Sequence, residues 1–147
     1  MYNNGIQDYR KTSVVTADPK RLVLICYEGA IENLKIAKNR YVEKDYEGKC
    51  IAVKKAQDII DELLCSLDFE KGGAIARNLE SLYRYMLGRI LQGDVNKDVS
   101  ALDEVIGILN ELKSAWEEIF SKQDKKIEPH LTEYNEQRKQ AAGYVSV

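Results

Sequence analysis

The chain has 147 residues, a formal net charge of -2, and 44% hydrophobic and 31% charged residues with both signs mixed. That length fits one domain with a core of its own, and the balance excludes a disordered chain. A charge so near neutral argues against nucleic acid and against an anionic membrane as partners, because their binders carry a strongly basic face. Cys26, Cys50 and Cys65 are odd in number and lack a CxxC pairing, so they read as buried thiols of a reducing compartment. No secretory signal stands at the start, and no run approaches the ~20 apolar residues of a membrane span. A cytoplasmic protein is expected.

Only two prolines occur, Pro19 and Pro129, so residues 20–128 lack that helix breaker and are read as four helices. Residues 1–17 have no helical period but carry Tyr2, Ile6, Tyr9, Val14 and Val15, and form a segment that gains by lying on something. The first helix starts with Asp18 as N-cap and Pro19 at its first position and runs to about Glu43. Its inward stripe is Val23, Cys26, Tyr27, Ala30, Leu34, Ala37 and Tyr41. The second runs from near Asp45 to near Leu67, with Ala52, Val53, Ala56, Ile59, Ile60, Leu63, Leu64 and Leu67 inward. A loop over residues 68–73 follows, where Gly72 and Gly73 permit a turn. The third helix spans about residues 73–92 with Ile75, Leu79, Leu82, Tyr83, Met86 and Ile90 inward, and Gly93 and Asp94 stop it. The fourth takes Asp98 as N-cap and presents Leu102, Val105, Ile106, Leu109, Leu112, Trp116 and Phe120 on one face.

Short connections between long amphipathic helices make neighbours antiparallel. The expected architecture is therefore all-α, an antiparallel up-down four-helix bundle over residues 18–121. Residues 1–17 cover it, and residues 122–147 form a C-terminal extension, partly disordered or a short helix. Gly29, Gly88 and Gly107 lie inside helices, where each costs ~1 kcal/mol against Ala, and close helix approach is the expected reason.

The sequence offers no catalytic constellation. A di-metal carboxylate bundle needs Glu-x-x-His pairs in its core, and the single histidine, His130, lies outside the bundle. A histidine-based triad fails for the same reason. Gly72-Gly73 has neither a P-loop nor a preceding strand around it, and the acidic pairs Asp61-Glu62 and Glu117-Glu118 fall on solvated faces. Tyr83 and Tyr85 read as core packing and surface rather than as a base-stacking platform. No enzyme, metal or cofactor is expected.

What the sequence has in excess is apolar surface. On a helical wheel Leu24 and Ile31 fall about a quarter turn to one side of the first helix's stripe, and Ile25 and Ile36 lie well round the other. Leu22, Val23, Leu24, Ile25, Cys26 and Tyr27 make its first turns nearly apolar all round, so something must cover them. Leu87 and Leu91 lie at the edge of the third helix's stripe. The N-terminal segment, through Ile6, Tyr9 and Val14, is one cover. An amphipathic partner segment is another, and the two readings combine if the segment is movable. Burying a Leu or Ile is worth ~1.5–3 kcal/mol, so a cover burying two or three of them holds until a longer partner buries more.

The residues of these segments resemble a known family. Tyr9-Arg10-Lys11-Thr12-Ser13-Val14-Val15-Thr16-Ala17-Asp18-Pro19, then Leu22 and Leu24-Ile25-Cys26-Tyr27-Glu28-Gly29-Ala30-Ile31, are similar to the opening of the flagellar export chaperone family FliS. Ala56-Gln57-Asp58-Ile59-Ile60-Asp61-Glu62-Leu63, Ser66-Leu67-Asp68-Phe69-Glu70, Gly72-Gly73, Asn78-Leu79, Leu82-Tyr83 and Tyr85-Met86 resemble its middle, and Trp116-Glu117 its last helix. Cys26 departs from the larger apolar residue common there, and the tail after Gln123 runs past the usual end.

The resemblance implies a cytoplasmic four-helix bundle that binds the C-terminal segment of flagellin. It implies that binding prevents premature polymerisation and assists export through the flagellar type III secretion system, with the export gate a further partner. It assigns Tyr9, Leu22, Ile25, Tyr27 and Ile31 to the binding region. The helical wheel adds Ile6, Val14, Leu24, Leu87 and Leu91. A regulatory adaptor that sequesters a motility regulator through the same groove is the alternative, and Tyr144, Val145 and Val147 offer a second cover.

Overall fold

Asp45, Asp68 and Asp98 each turn a carboxylate back onto the backbone that follows, and a helix begins after each. The Gly48 N–H donates to Asp45 at 2.9 Å. Those of Glu70 and Lys71 donate to Asp68 at 3.1 and 3.0 Å, and that of Ser100 to Asp98 at 3.0 Å. These bonds satisfy N–H groups that a helix start otherwise leaves unpaired. The elements are α1 (Pro19–Val42), α2 (Tyr46–Cys65), α3 (Phe69–Asn96) and α4 (Val99–Val145). The structure is a computed structural model and describes the backbone of residues 19–145 and the side chains of residues 20–123. Every element among the described residues is a helix. The Asp18 cap expected for α1 lies outside them. α4 passes the boundary expected between residues 121 and 122.

The chain divides into two compact units, Met1–Lys113 and Ser114–Val147. In the first, residue pairs across the bundle fix the helix directions. Tyr27 Oη and Tyr83 Oη meet at 2.7 Å in the core, and Tyr41 Oη donates to the Lys97 carbonyl at 3.4 Å. Both pairs are 56 residues apart, so α1 and α3 run parallel across the core. Lys38 pairs with Asp103, and Glu28 with Lys113 at 3.3 Å. Moving back along α1 thus moves forward along α4, and the two are antiparallel neighbours. α3 meets α4 on its other side, where Arg89 Nε donates to Glu104 at 2.7 Å beside Tyr85. These two donors, Tyr85 first, hold the Glu104 carboxyl below the usual carboxylate range. Lys49 of α2 pairs with Asp94 of α3. The result is the up-down-up-down bundle expected from the sequence.

Tyr27, Ala30, Leu34, Ala37, Ala52, Val53, Ala56, Ile60, Leu63, Ala76, Tyr83, Met86, Ile90, Ala101, Leu102, Val105 and Leu109 are buried, and these form the core with Ile31. In the second unit the Trp116 and Phe120 rings stack with centroids 5.5 Å apart, and Glu118 pairs with Lys122 at 3.1 Å.

Several expectations are corrected. Ile75 does not face a packed core but is 64% exposed. The offset of 56 residues sets it level with residue 19, where α1 only begins. Cys50 and Cys65 are exposed and Cys26 half-buried, because on α2 the buried stripe is Ala52, Val53, Ala56, Ile60 and Leu63 and both cysteines lie off it. The segment 68–73 is not wholly a loop, since one helical turn follows Asp68 and the interruption falls at Gly73 (φ 51°, ψ −124°). Gly93 does not stop α3, which continues to Asn96. It instead lets α4 approach, because a Cβ there would stand 2.9 Å from the Ala101 Cβ and from the Asp98 carbonyl oxygen. Close approach accounts for Gly29, whose missing Cβ would lie 3.3 Å from Ile59 Cδ1. It does not account for Gly88 or Gly107, which have nothing within 4 Å.

Two consequences are measurable. Gly73 has a backbone conformation that only glycine adopts without strain, so Gly73→Ala is expected to cost about 1–3 kcal/mol in urea unfolding. Burial pushes the Tyr83 phenol above the ordinary tyrosine value of 10.0, and the adjacent Tyr27 adds to the effect. A raised value in the folded state means that this stability is complete below pH 10. It erodes as pH rises beyond that, because the unfolded chain ionises first. The denaturation midpoint is therefore expected to fall above pH 10, and Tyr83→Phe to flatten that limb.

Candidate partner-binding surface

The first turns of α1 are where the apolar excess meets too little cover. Leu22, Val23, Leu24, Ile25 and Cys26 are five consecutive apolar residues, and every one is half-buried. Full burial begins only at Tyr27. At 100° per residue, five consecutive positions point to every side of a helix, so partial cover on all of them means that no side of these turns is sealed. Exposed large apolar residues also occur along α3 and at the α1–α2 corner, among them Leu91, Val95, Val42 and Tyr46.

The residues expected at the binding surface separate into four groups. Ile6, Tyr9 and Val14 lie outside the described residues. Leu22, Leu24 and Ile25 are in the half-buried turns just described. Tyr27 and Ile31 belong to the core, at 0% and 7% exposure, and cannot touch a partner unless the bundle opens. Tyr27 is held by the Tyr83 hydroxyl. Ile31 lies on the side of α1 where Glu28 and Lys38 both pair with α4.

Leu87 is half-buried and Leu91 56% exposed, both on α3. The offset of 56 between α1 and α3 sets Leu24 level with residue 80, eleven residues before Leu91, or about 16 Å along the bundle. The structure therefore gives two surfaces, one on α1 and one on α3, where the sequence grouped them as one. Val23 and Cys26, assigned to the core stripe, join the α1 surface. The signal for that was present, since a stripe loses its cover toward a helix end.

Among the described residues no helix is long and apolar enough to cross a membrane. What the fold and surface define is an all-helical bundle with unsealed apolar turns on its first helix. A model described as flagellar protein FliS matches residues 1–123, and the chain belongs to the FliS family. The flagellar secretion chaperone FliS of Salmonella typhimurium is 39% identical over 124 residues, covering 81% of this chain and 92% of the relative. FliSB of Pseudomonas aeruginosa, a flagellar secretion chaperone, is 38% identical over 119 residues, 78% of this chain and 94% of that one. FliS of Bacillus subtilis is 30% identical over 122 residues, 83% and 90% respectively. The family is one of chaperones and not of enzymes.

Proposed function

We propose that the first turns of α1 bind the C-terminal segment of flagellin in the cytoplasm. Binding keeps that segment from polymerising early and delivers it to the flagellar type III export system. The reading is carried by five consecutive half-buried apolar residues, 22–26, in a chain of a secretion-chaperone family. Leu22, Leu24 and Ile25 point to different sides of α1, so a cargo that covers all three passes round the helix as an extended or partly helical chain. Completing the burial of three half-buried side chains is worth ~2–5 kcal/mol, at half of the ~1.5–3 kcal/mol for each full burial. The N-terminal residues Ile6, Tyr9 and Val14 are assigned the part of a movable cover over the same turns. The regulatory-adaptor reading uses the same residues, and no observation favours it.

A synthetic peptide of flagellin's C-terminal segment, titrated into the folded full-length chain, tests the reading. Saturable binding is expected, and its absence while the chain is folded overturns it.

A further inference from the structure

The outer face of α3 has a property that the bundle does not explain. Ala74, Arg77, Ser81, Arg84, Gly88, Leu91 and Val95 follow one another at spacings of three and four, and all seven are exposed. That spacing is the contact line along which one helix packs on another. Small residues recur on it every seventh position, at Ala74, Ser81 and Gly88. Among the described residues nothing needs the missing Cβ of Gly88, which has open space to 4 Å. Leu91 and Val95 are 56% and 70% exposed, one turn apart.

The charge on this line is one-sided. Arg40 and Arg89 each have a carboxylate partner, whereas Arg77 and Arg84 have none among the described residues. No Asp or Glu is exposed on α3 between residues 74 and 96. Glu80 is half-buried, and Asp94 is held by Lys49.

We propose that the outer face of α3 is a docking line for an acidic amphipathic helix of a partner protein. Small and apolar residues of that helix seat over Ser81, Gly88, Leu91 and Val95, and its carboxylates pair with Arg77 and Arg84. The occupant is not a second copy of this chain. Parallel pairing of α3 with itself sets each arginine against its own counterpart, and antiparallel pairing about the middle of the line sets Arg84 near Arg84. Like charges so placed oppose association. The docking line is separate from the α1 surface and does not rest on the flagellin reading.

The test uses a 21-residue designed helical peptide with Ala and Leu along one line and Glu on its flanks, titrated into the full chain by fluorescence anisotropy. Its counterpart has Lys in place of every Glu. The acidic peptide is expected to bind saturably, at least tenfold tighter than the basic one. Arg77→Glu/Arg84→Glu, Leu91→Asp and Gly88→Leu are each expected to weaken it at least tenfold, with undiminished helical signal and no lowered melting temperature, Gly88→Leu raising it. Lys35→Glu/Lys55→Glu and Gly107→Ala should leave it within twofold. Equal binding of the two peptides, no saturation by the acidic one, or equal damage from the Lys35/Lys55 pair overturns the proposal. So does a dimer of the free chain that Arg84→Glu abolishes, which would give this line to a second copy.

Discussion

Tyr27→Ala is expected to lower the unfolding free energy by about 3–5 kcal/mol, the cost of truncating a large aromatic in a packed core. The residue is 0% exposed and its hydroxyl meets that of Tyr83 at 2.7 Å across the bundle. A loss of that size is a large share of the ~5–15 kcal/mol that separates a typical fold from its unfolded chain. Tyr27→Phe separates packing from hydrogen bonding. It keeps the ring but removes the oxygen that Tyr83 faces, at an expected ~1–3 kcal/mol for a buried hydroxyl deprived of its partner. Tyr27→Phe/Tyr83→Phe should cost less than the sum of the two single changes, because each single change already breaks the shared bond. Urea unfolding of the four proteins measures this. Strict additivity would show that the hydroxyls do not act together. Any loss of cargo binding by Tyr27→Ala would follow from the lost fold.

Leu24→Asp/Ile25→Asp should behave in the opposite way. Both residues are half-buried, so the bundle tolerates their replacement, whereas under the proposed function each buries further against cargo. Replacing them removes apolar area and places two carboxylates where the cargo would exclude water. Affinity for the flagellin peptide is expected to fall about 100-fold or more, ~2.8 kcal/mol at 1.4 kcal/mol per tenfold. The melting temperature should shift by only a few degrees. Leu24→Ser/Ile25→Ser, without charge, should fall between the two. An unchanged affinity in the Asp variant would remove these residues from the surface.

The helices were legible in the sequence because their signals are local. Asp45 and Asp98 cap where a side chain two or three residues back reaches a free N–H. The stripes of α2 and α3 place Ala56, Ile60, Tyr83, Met86 and Ile90 inward by period alone. Whatever depends on the length and placement of a neighbouring helix was not legible. The wheel gives Ile75 an inward direction, but not that α1 stops short of it. It sets Ile31 at the edge of a stripe, but not that the edge is buried on the side where Glu28 and Lys38 pair with α4. Family resemblance picked out Tyr27, and a motif cannot separate a residue needed for the fold from one that touches the partner. By sequence Gly88 reads as a site of close approach and Gly93 as a helix stop, and the packing reverses the two. Only the positions of Ala101 and Asp98 distinguish the glycine that packing requires from the one in open space.

The central claim is that the unsealed turns at the start of α1 hold the cargo. Hydrogen–deuterium exchange of the full chain, with and without a saturating peptide of flagellin's C-terminal segment, tests it most directly. The account predicts slowed exchange in residues 20–26, with the core amides around Leu34, Ile60 and Met86 unchanged. Saturable binding that leaves residues 20–26 exchanging as in the free chain, with protection confined to other helices, would contradict it.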